Sequence, residues 1–114
     1  MGNPISSADD PYTYEDLLRD REVKLTRIGT DCCFQWSRGS ASGERVGIIF
    51  WHRAQDGRAC GGYVNFDPDS EKAGPTWTVA SWEPLTISPS VLCNGVHGCG
   101  GYHGFIEHGV WRSV

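Results

Sequence analysis

The sequence predicts a mainly β fold: one compact domain with an antiparallel sheet or sandwich and one short N-terminal helix. Three observations favour it. Runs of alternating apolar and polar residues recur along the 114-residue chain, as half-buried strands require. The 15 glycines exceed the usual share of about 7% and indicate many turns. Five Trp, four Tyr and four Phe supply large side chains for a single core, which a chain of this length can bury.

The first predicted elements are an arm and a helix. Residues 1–12 hold two prolines, two serines and a pair of aspartates with little to bury, so we expect a flexible N-terminal arm. Residues 13–114 then form a single β-rich domain. Thr13 is suited to cap a helix, Asp16 stands in the capping-box position, and two leucines follow as an apolar stripe. We therefore predict a helix within "TYEDLLRDRE".

After this helix the hydrophobic period changes to that of β-strands. The longest apolar run, "RVGIIFWH", predicts a central strand. The stretch "PLTISPSVL" (84–92) is expected to be extended around its prolines, and His108 with Gly109 is expected to form a turn. The predicted strands are 23–28, 32–36, 45–52, 61–66, 76–82, 104–107 and 110–112.

Charge and composition exclude several classes of protein. The formal net charge is −4 and the pI about 5.4, and no stripe of Lys and Arg alternates with aromatics, so no nucleic-acid partner is expected. There is no apolar run of ~18 residues and no signal-peptide pattern, so we expect a cytoplasmic protein that does not enter a membrane. The five cysteines are odd in number and two are adjacent, which disfavours a disulfide framework.

Two cysteines and two histidines fall within "CNGVHGCGGYH", residues 93–103. Thiolates and imidazoles that bind zinc must converge within about 2.0 to 2.3 Å of one point. Because the intervening glycines let a short loop curl around such a point, Cys93, Cys99 and His103 predict a zinc-stabilised C-terminal loop. The spacing differs from a C-x-x-C knuckle, and buried thiols beside turn glycines are the alternative.

A closed zinc site needs a fourth ligand. Cys60 is the first candidate because, like Cys99, it precedes two glycines at the edge of a strand. His52 ends a predicted strand and could join Cys60 in one hairpin. The remaining candidates are Cys32, Cys33, His97 and His108.

Local catalytic motifs are not found in the sequence. "HGFIEH" is one residue too long for the zinc-peptidase pattern H-x-x-E-H, and "GSASG" has no serine at the centre of G-x-S-x-G. The deaminase pattern is missing as well. A Cys/His pair for nucleophilic catalysis has no local signature. No catalytic residue is therefore predicted, and an enzyme is the less favoured class.

Two phrases resemble a known family. "WTVASWEPLTISPSVLC" joins a Trp-containing strand to Leu-Thr-x-x-Pro-Ser, and "GCGGYHGFIEHGVW" places His103 four residues after Cys99. Over residues 60–112 the chain resembles a family of small bacteriophage and bacterial domains of unknown function that are often mislabelled as ammonia monooxygenase. The resemblance implies a compact β-rich domain with a zinc site in which Cys99 and His103 match the C-terminal ligand pair. Cys60 stands where the family has a cluster of cysteines, and Cys93 replaces a missing one.

These observations predict a zinc-binding, phage-type accessory or virion-associated protein that acts by protein–protein interaction. Four protein ligands would leave no position for an activated water, which favours a structural site. We expect a protein partner or self-association, in the bacterial host cytoplasm or within a virion. The alternatives are a metal-free structural module and a zinc-dependent hydrolase with an open site, in which Glu107 or His108 carries a proton. The predicted zinc ligands are Cys60, Cys93, Cys99 and His103.

Overall fold

A computed structural model of the chain describes residues 13–69, 74–93 and 102–114. The predicted arm, residues 1–12, lies outside the described residues. The helix and strands are α1 (Tyr14–Arg19), β1 (Thr26–Arg27), β2 (Cys32–Arg38), β3 (Arg45–Arg53), β4 (Ala59–Asn65), β5 (Thr78–Trp82), β6 (Leu85–Ser88), β7 (Val91–Cys93), β8 (Tyr102–Glu107) and β9 (Val110–Ser113).

The helix α1 begins at the predicted capping box. Thr13 Oγ1 accepts a hydrogen bond from Asp16 N at 3.0 Å, and Thr13 N donates to Asp16 Oδ2 at 3.4 Å. Tyr14 and Leu17 are fully buried in a small core with Trp51. The short N-terminal helix is therefore confirmed. Within the described ranges, no helix is long and apolar enough to cross a membrane.

The largest sheet has four antiparallel strands in the order β1-β2-β3-β4. Its central strand β3 is the long apolar run, as predicted. Because side chains alternate along β3, Ile48 and Phe50 lie in the main hydrophobic core, and Trp51 lies in the small core with Tyr14 and Leu17 of α1. His52 lies opposite Cys60 in the pairing of β3 with β4. Both faces of the sheet are thus buried around the centre of β3.

Two smaller antiparallel sheets, β5-β6 and β7-β8-β9, complete the fold. Leu85 and Ile87 from β6, Val91 from β7 and Ile106 from β8 join the main core beside the side chains of the four-stranded sheet. One apolar core is therefore shared by all three sheets. The prediction of a mainly β, antiparallel domain is confirmed.

The stretch 84–92, predicted as one extended segment, divides into two strands. β6 ends at Ser88 and pairs with β5, whereas β7 begins at Val91 and pairs with β8. Pro89 and Ser90 connect them. Because proline has no N–H to donate, it interrupts a ladder of backbone hydrogen bonds. Ser90 thus lies where the chain leaves one sheet and enters the next.

Candidate functional site

Strands β7 and β8 form an antiparallel pair, here named the β7–β8 ribbon, whose two faces differ. The register places Cys93 opposite Tyr102 and Leu92 opposite His103. Since side chains alternate along a strand, the first pair shares one face and the second pair shares the other. Cys93 is 9% exposed, whereas Leu92 is 52% exposed. We call the face that carries Cys93 and Tyr102 the inner face, and the face that carries Leu92 and His103 the outer face.

On the inner face, the fold brings His52, Cys60 and Cys93 together. His52 and Cys60 are cross-strand partners in β3 and β4, and Cys93 reaches them from β7. Their ligand atoms all lie within 4.8 Å of one another, and the two sulfurs are 3.8 Å apart. Two thiolates on a tetrahedral zinc, at about 2.3 Å each, would be about 3.8 Å apart. The three side chains could therefore hold a metal ion.

His52 has the orientation of a metal-binding histidine. Its Nδ1 lies 3.2 Å from the carbonyl oxygen of Arg53, an acceptor that places the ring proton on Nδ1 and leaves a lone pair on Nε2. Nε2 is buried, and it has no hydrogen-bond partner among the described residues. Burial also lowers the pKa of His52, which favours the neutral imidazole that metals bind. The ring of Tyr102 stacks on it with the centroids 4.1 Å apart.

The glycine that follows Cys60 is required by close backbone contact. A Cβ atom on Gly61 would lie 1.8 Å from the carbonyl oxygen of Phe50. No larger residue fits there without moving β4 away from β3. Gly61 thus keeps Cys60 beside His52. This role differs from the loop curvature predicted for the glycines between Cys93 and His103.

Among the described residues, the other ligand candidates are outside this group, although Cys32 lies opposite His52 in the pairing of β2 with β3. Cys32 and Cys33 are buried in two different hydrophobic cores, and burial raises the pKa of Cys32 to about 11, which keeps it a neutral thiol. His108 is exposed in the turn between β8 and β9. His97 and Cys99 lie outside the described residues, and the prediction that Cys99 is a ligand stays a prediction.

His103, predicted as a zinc ligand, lies on the outer face and contacts a serine. Its Nε2 is 2.7 Å from Ser90 Oγ. Ser90 precedes Leu92 by two residues, and Leu92 is the partner of His103, so the two side chains are diagonal neighbours within reach. In the tautomer with the proton on Nδ1, the serine hydroxyl donates to Nε2. This is the contact between nucleophile and base found in serine hydrolases, and we call it the Ser90–His103 dyad.

The backbone carbonyl groups of both dyad residues accept hydrogen bonds from neighbouring elements. Trp77 Nε1 donates to Ser90 O at 3.1 Å, and Val114 N donates to His103 O at 3.0 Å. Both dyad side chains are partly exposed. Within the described ranges, no carboxylate lies at ion-pair distance from the His103 ring. The described residues therefore place a hydroxyl and an imidazole side by side on a surface that a substrate can reach.

Ser90 does not emerge from local sequence patterns. It is not in a G-x-S-x-G motif, and its partner His103 is 13 positions away in another strand. One signal was present: Ser90 and His103 both fall within the two phrases that carry the family resemblance. The resemblance implies that His103 is a zinc ligand, whereas the structure places its ring beside a hydroxyl, and imidazole can serve as a metal ligand or as a base.

The comparisons with known proteins identify a family. A sequence model of the family described as "BubE: Bacterial ubiquitination-like system serine protease" matches residues 35–114. No curated protein and no solved structure matches the chain. The match confirms a small bacterial domain family but supports neither a phage assignment nor one related to ammonia monooxygenase.

The match also corrects the predicted function. A phage-type accessory or virion-associated protein is wrong, and the alternatives, a zinc-dependent hydrolase and a metal-free module, are not supported. The proton carriers of that hydrolase are also poorly placed, since Glu107 is ion-paired with Arg112 at 2.8 Å and His108 is in a turn. Because the match covers more than half of the sequence, the chain belongs to the family of bacterial ubiquitination-like system serine proteases.

Proposed function

We propose that the chain is a serine protease in which Ser90 is the nucleophile and His103 the general base. The observation that carries this proposal is the 2.7 Å distance between Ser90 Oγ and His103 Nε2 on the partly exposed outer face. A neutral imidazole at hydrogen-bond distance can take the serine proton as the oxygen attacks. The description of the family supports the same reaction class.

The dyad accounts for each proton transfer in peptide hydrolysis. Ser90 Oγ attacks the carbonyl carbon of the scissile bond, and its proton passes to His103 Nε2. The tetrahedral intermediate collapses, the leaving amine takes that proton from His103, and the acyl group stays on Ser90. Water then attacks the ester while His103 accepts its proton, and this proton returns to Oγ as the acid product leaves. The contacts from Trp77 and Val114 help to keep the two side chains together.

A protein substrate is the partner that fits this site. Ser90 lies in the connection between β6 and β7 at the surface, where an extended polypeptide can reach it without entering a closed cavity. The family description assigns its members to a ubiquitination-like system, which acts on proteins. We therefore infer that the substrate is a polypeptide segment of another protein in such a system.

Cleavage of an internally quenched peptide library tests the proposal. We expect Ser90→Ala and His103→Ala each to lower kcat/KM by about 10⁴-fold or more, because nucleophile and base act as a unit. Ser88→Ala is the matched control, since Ser88 is an exposed serine two residues earlier, and it should retain wild-type activity. Wild-type cleavage that survives in Ser90→Ala, or a wild type that cleaves nothing, would contradict the assignment.

We also propose that the inner face binds a structural zinc through His52, Cys60 and Cys93. Two thiolates and one imidazole supply sulfur and nitrogen ligands, the combination that zinc prefers in structural sites. The ion would tie β7 to β3 and β4, and Cys99, which is also among the ligands predicted from the sequence, would complete the set. This group lies on the face opposite the dyad, so its contribution would be to stability.

Zinc content per purified chain tests this second proposal. We expect about one zinc in the wild type and its loss in His52→Ala, Cys60→Ser and Cys93→Ser. Cys33→Ala is the matched control, because Cys33 is an equally buried cysteine that faces the other core and is outside the group. A wild type without zinc would contradict the proposal, and full zinc in Cys99→Ser would remove Cys99 from the ligand set.

A further inference from the structure

Solvent-exposed large apolar side chains are concentrated on the outer face of the β7-β8-β9 sheet. Leu92 is opposite His103, and Val110 is opposite Glu107, whose side chain shares the outer face with His103. Val114 N bonds to His103 O, which continues the pairing by one residue. Three of the four exposed large hydrophobic residues within the described ranges therefore lie on this face. The four are Trp82, Leu92, Val110 and Val114.

Two of these residues flank the catalytic histidine. Leu92, His103 and Val114 form a row across the sheet, in which neighbouring Cβ atoms are about 5 Å apart. Leu92 is 52% and Val114 74% exposed. Exposed apolar patches on a folded domain commonly mark binding surfaces. This one surrounds the groups that must contact the substrate.

On the basis of the proposed protease function, we propose that Leu92 and Val114 form a subsite for an apolar side chain of the polypeptide substrate. The scissile carbonyl must reach Ser90 Oγ, so a residue that flanks the bond must lie over this row. An apolar side chain there removes water from both surfaces. A charged side chain would instead lose hydration there, because Leu92 and Val114 have no polar side-chain atom to offer it.

Val110 provides an internal reference on the same face. It lies opposite Glu107, four residues along β8 from His103 and thus about 13 Å away. The ion pair between Glu107 and Arg112, 2.8 Å between Oε1 and Nε, is at this end of the strand. Val110 is 58% exposed, close to the value for Leu92. The same substitution at the two positions therefore places its new side chain on one face, opposite His103 in one variant and opposite Glu107, away from the dyad, in the other.

The test measures substrate preference with internally quenched peptide pools. Each pool fixes Leu, Lys or Glu at one position on either side of the scissile bond. The readout is the ratio of kcat/KM for the Leu pool to that for the Lys pool, which does not depend on the folded fraction. We expect the wild type to prefer Leu at one position and the ratio to fall about tenfold or more in Leu92→Asp. Leu92→Met and Val110→Asp should both keep it.

The possible results separate the subsite from the protease function. An unchanged ratio in Leu92→Asp, or an equal fall in Val110→Asp, would overturn the subsite. A fluorophosphonate that labels Ser90 in a chain without any apolar preference would overturn the subsite and leave the protease function standing. If Ser90 is not labelled at all, the protease function fails and the subsite fails with it.

Discussion

A histidine lies at each face of the β7–β8 ribbon, His52 of β3 at the inner face and His103 of β8 on the outer face, and their surroundings are opposite. His52 is fully buried beside Cys60 and Cys93, and its Nε2 has no hydrogen-bond partner among the described residues. His103 is partly exposed, and its Nε2 contacts Ser90 Oγ at 2.7 Å. Because both residues are histidines, it is their burial and their neighbouring atoms that make one ring suitable for a metal ion and the other for proton transfer.

The largest expected difference in stability is between substitutions at two adjacent residues of β7 whose side chains lie on opposite faces. We expect Cys93→Ser to lower the free energy of unfolding by about 3 kcal/mol or more, because it removes a ligand of the proposed zinc. Leu92→Ser changes an exposed side chain and should stay within about 0.5 kcal/mol of the wild type. Denaturant unfolding measures both.

A chelator provides the control for this pair. It should lower the Tm of the wild type and of Leu92→Ser but not that of Cys93→Ser, which has already lost the ion. Equal stabilities for the two variants would show that the inner face does not depend on a metal.

A smaller effect is expected from the close contact of β3 with β4. Ala at position 61 would place Cβ 1.8 Å from Phe50 O, whereas Cβ at Gly62 would meet nothing within 4 Å. We therefore expect Gly61→Ala to cost about 2 kcal/mol by forcing the strands apart, with Gly62→Ala near neutral. Thermal unfolding compares the two. Similar Tm values would mean that Gly61 does not hold the inner-face group in place.

On the outer face, stability and activity should separate. Ser90→Ala removes one partly exposed hydrogen bond, so its unfolding free energy should fall by no more than about 1 kcal/mol while cleavage is lost. Measuring Tm on the same preparation as the activity checks this. A strongly destabilised Ser90→Ala would indicate that the dyad is a structural contact.

The smallest expected effect concerns the ion pair at the far end of the outer face. The hydrogen bond from Arg112 lowers the pKa of Glu107 below its ordinary value of 4.5. A carboxyl group with a lowered folded-state pKa stabilises the fold above its unfolded pKa, and this contribution disappears as the pH falls through the folded value. The wild type should thus have a slightly higher Tm than Glu107→Gln near neutral pH, and the difference should close below pH ~4.5.

An exposed acid elsewhere serves as control for this prediction. Within the described ranges Glu22 forms no ion pair, so Glu22→Gln should show no difference of this kind. A constant difference between the wild type and Glu107→Gln across the acid range would contradict the ion-pair explanation.

Much of the fold could be predicted because local patterns determine it. The capping box of Thr13 and Asp16, the apolar run of β3 and the turn at His108 and Gly109 all act over a few residues. The division of residues 84–92 into two strands could not be predicted, since it depends on which strand each half pairs with. That pairing is a tertiary contact without a local signal.

The candidate site was predicted only in part, for a related reason. The glycines after Cys60 and the spacing of Cys93 to Cys99 predict two of the residues that the structure brings together, and the third is His52, an alternative candidate for the fourth ligand. The spacing to Cys99 and the family resemblance predict His103 as a ligand too, but the register of β7 with β8 places it on the face opposite Cys93. A shift of one residue reverses the face of a strand side chain, and sequence spacing does not reveal that shift.

The most direct test of Ser90 as nucleophile is residue-level mapping of a fluorophosphonate adduct by tandem mass spectrometry. We predict that the phosphonyl group is on Ser90 in the wild type and that the rate of labelling falls strongly in His103→Ala, since the base activates the hydroxyl. An adduct on a different serine, or labelling that proceeds equally fast without His103, would contradict the proposed dyad.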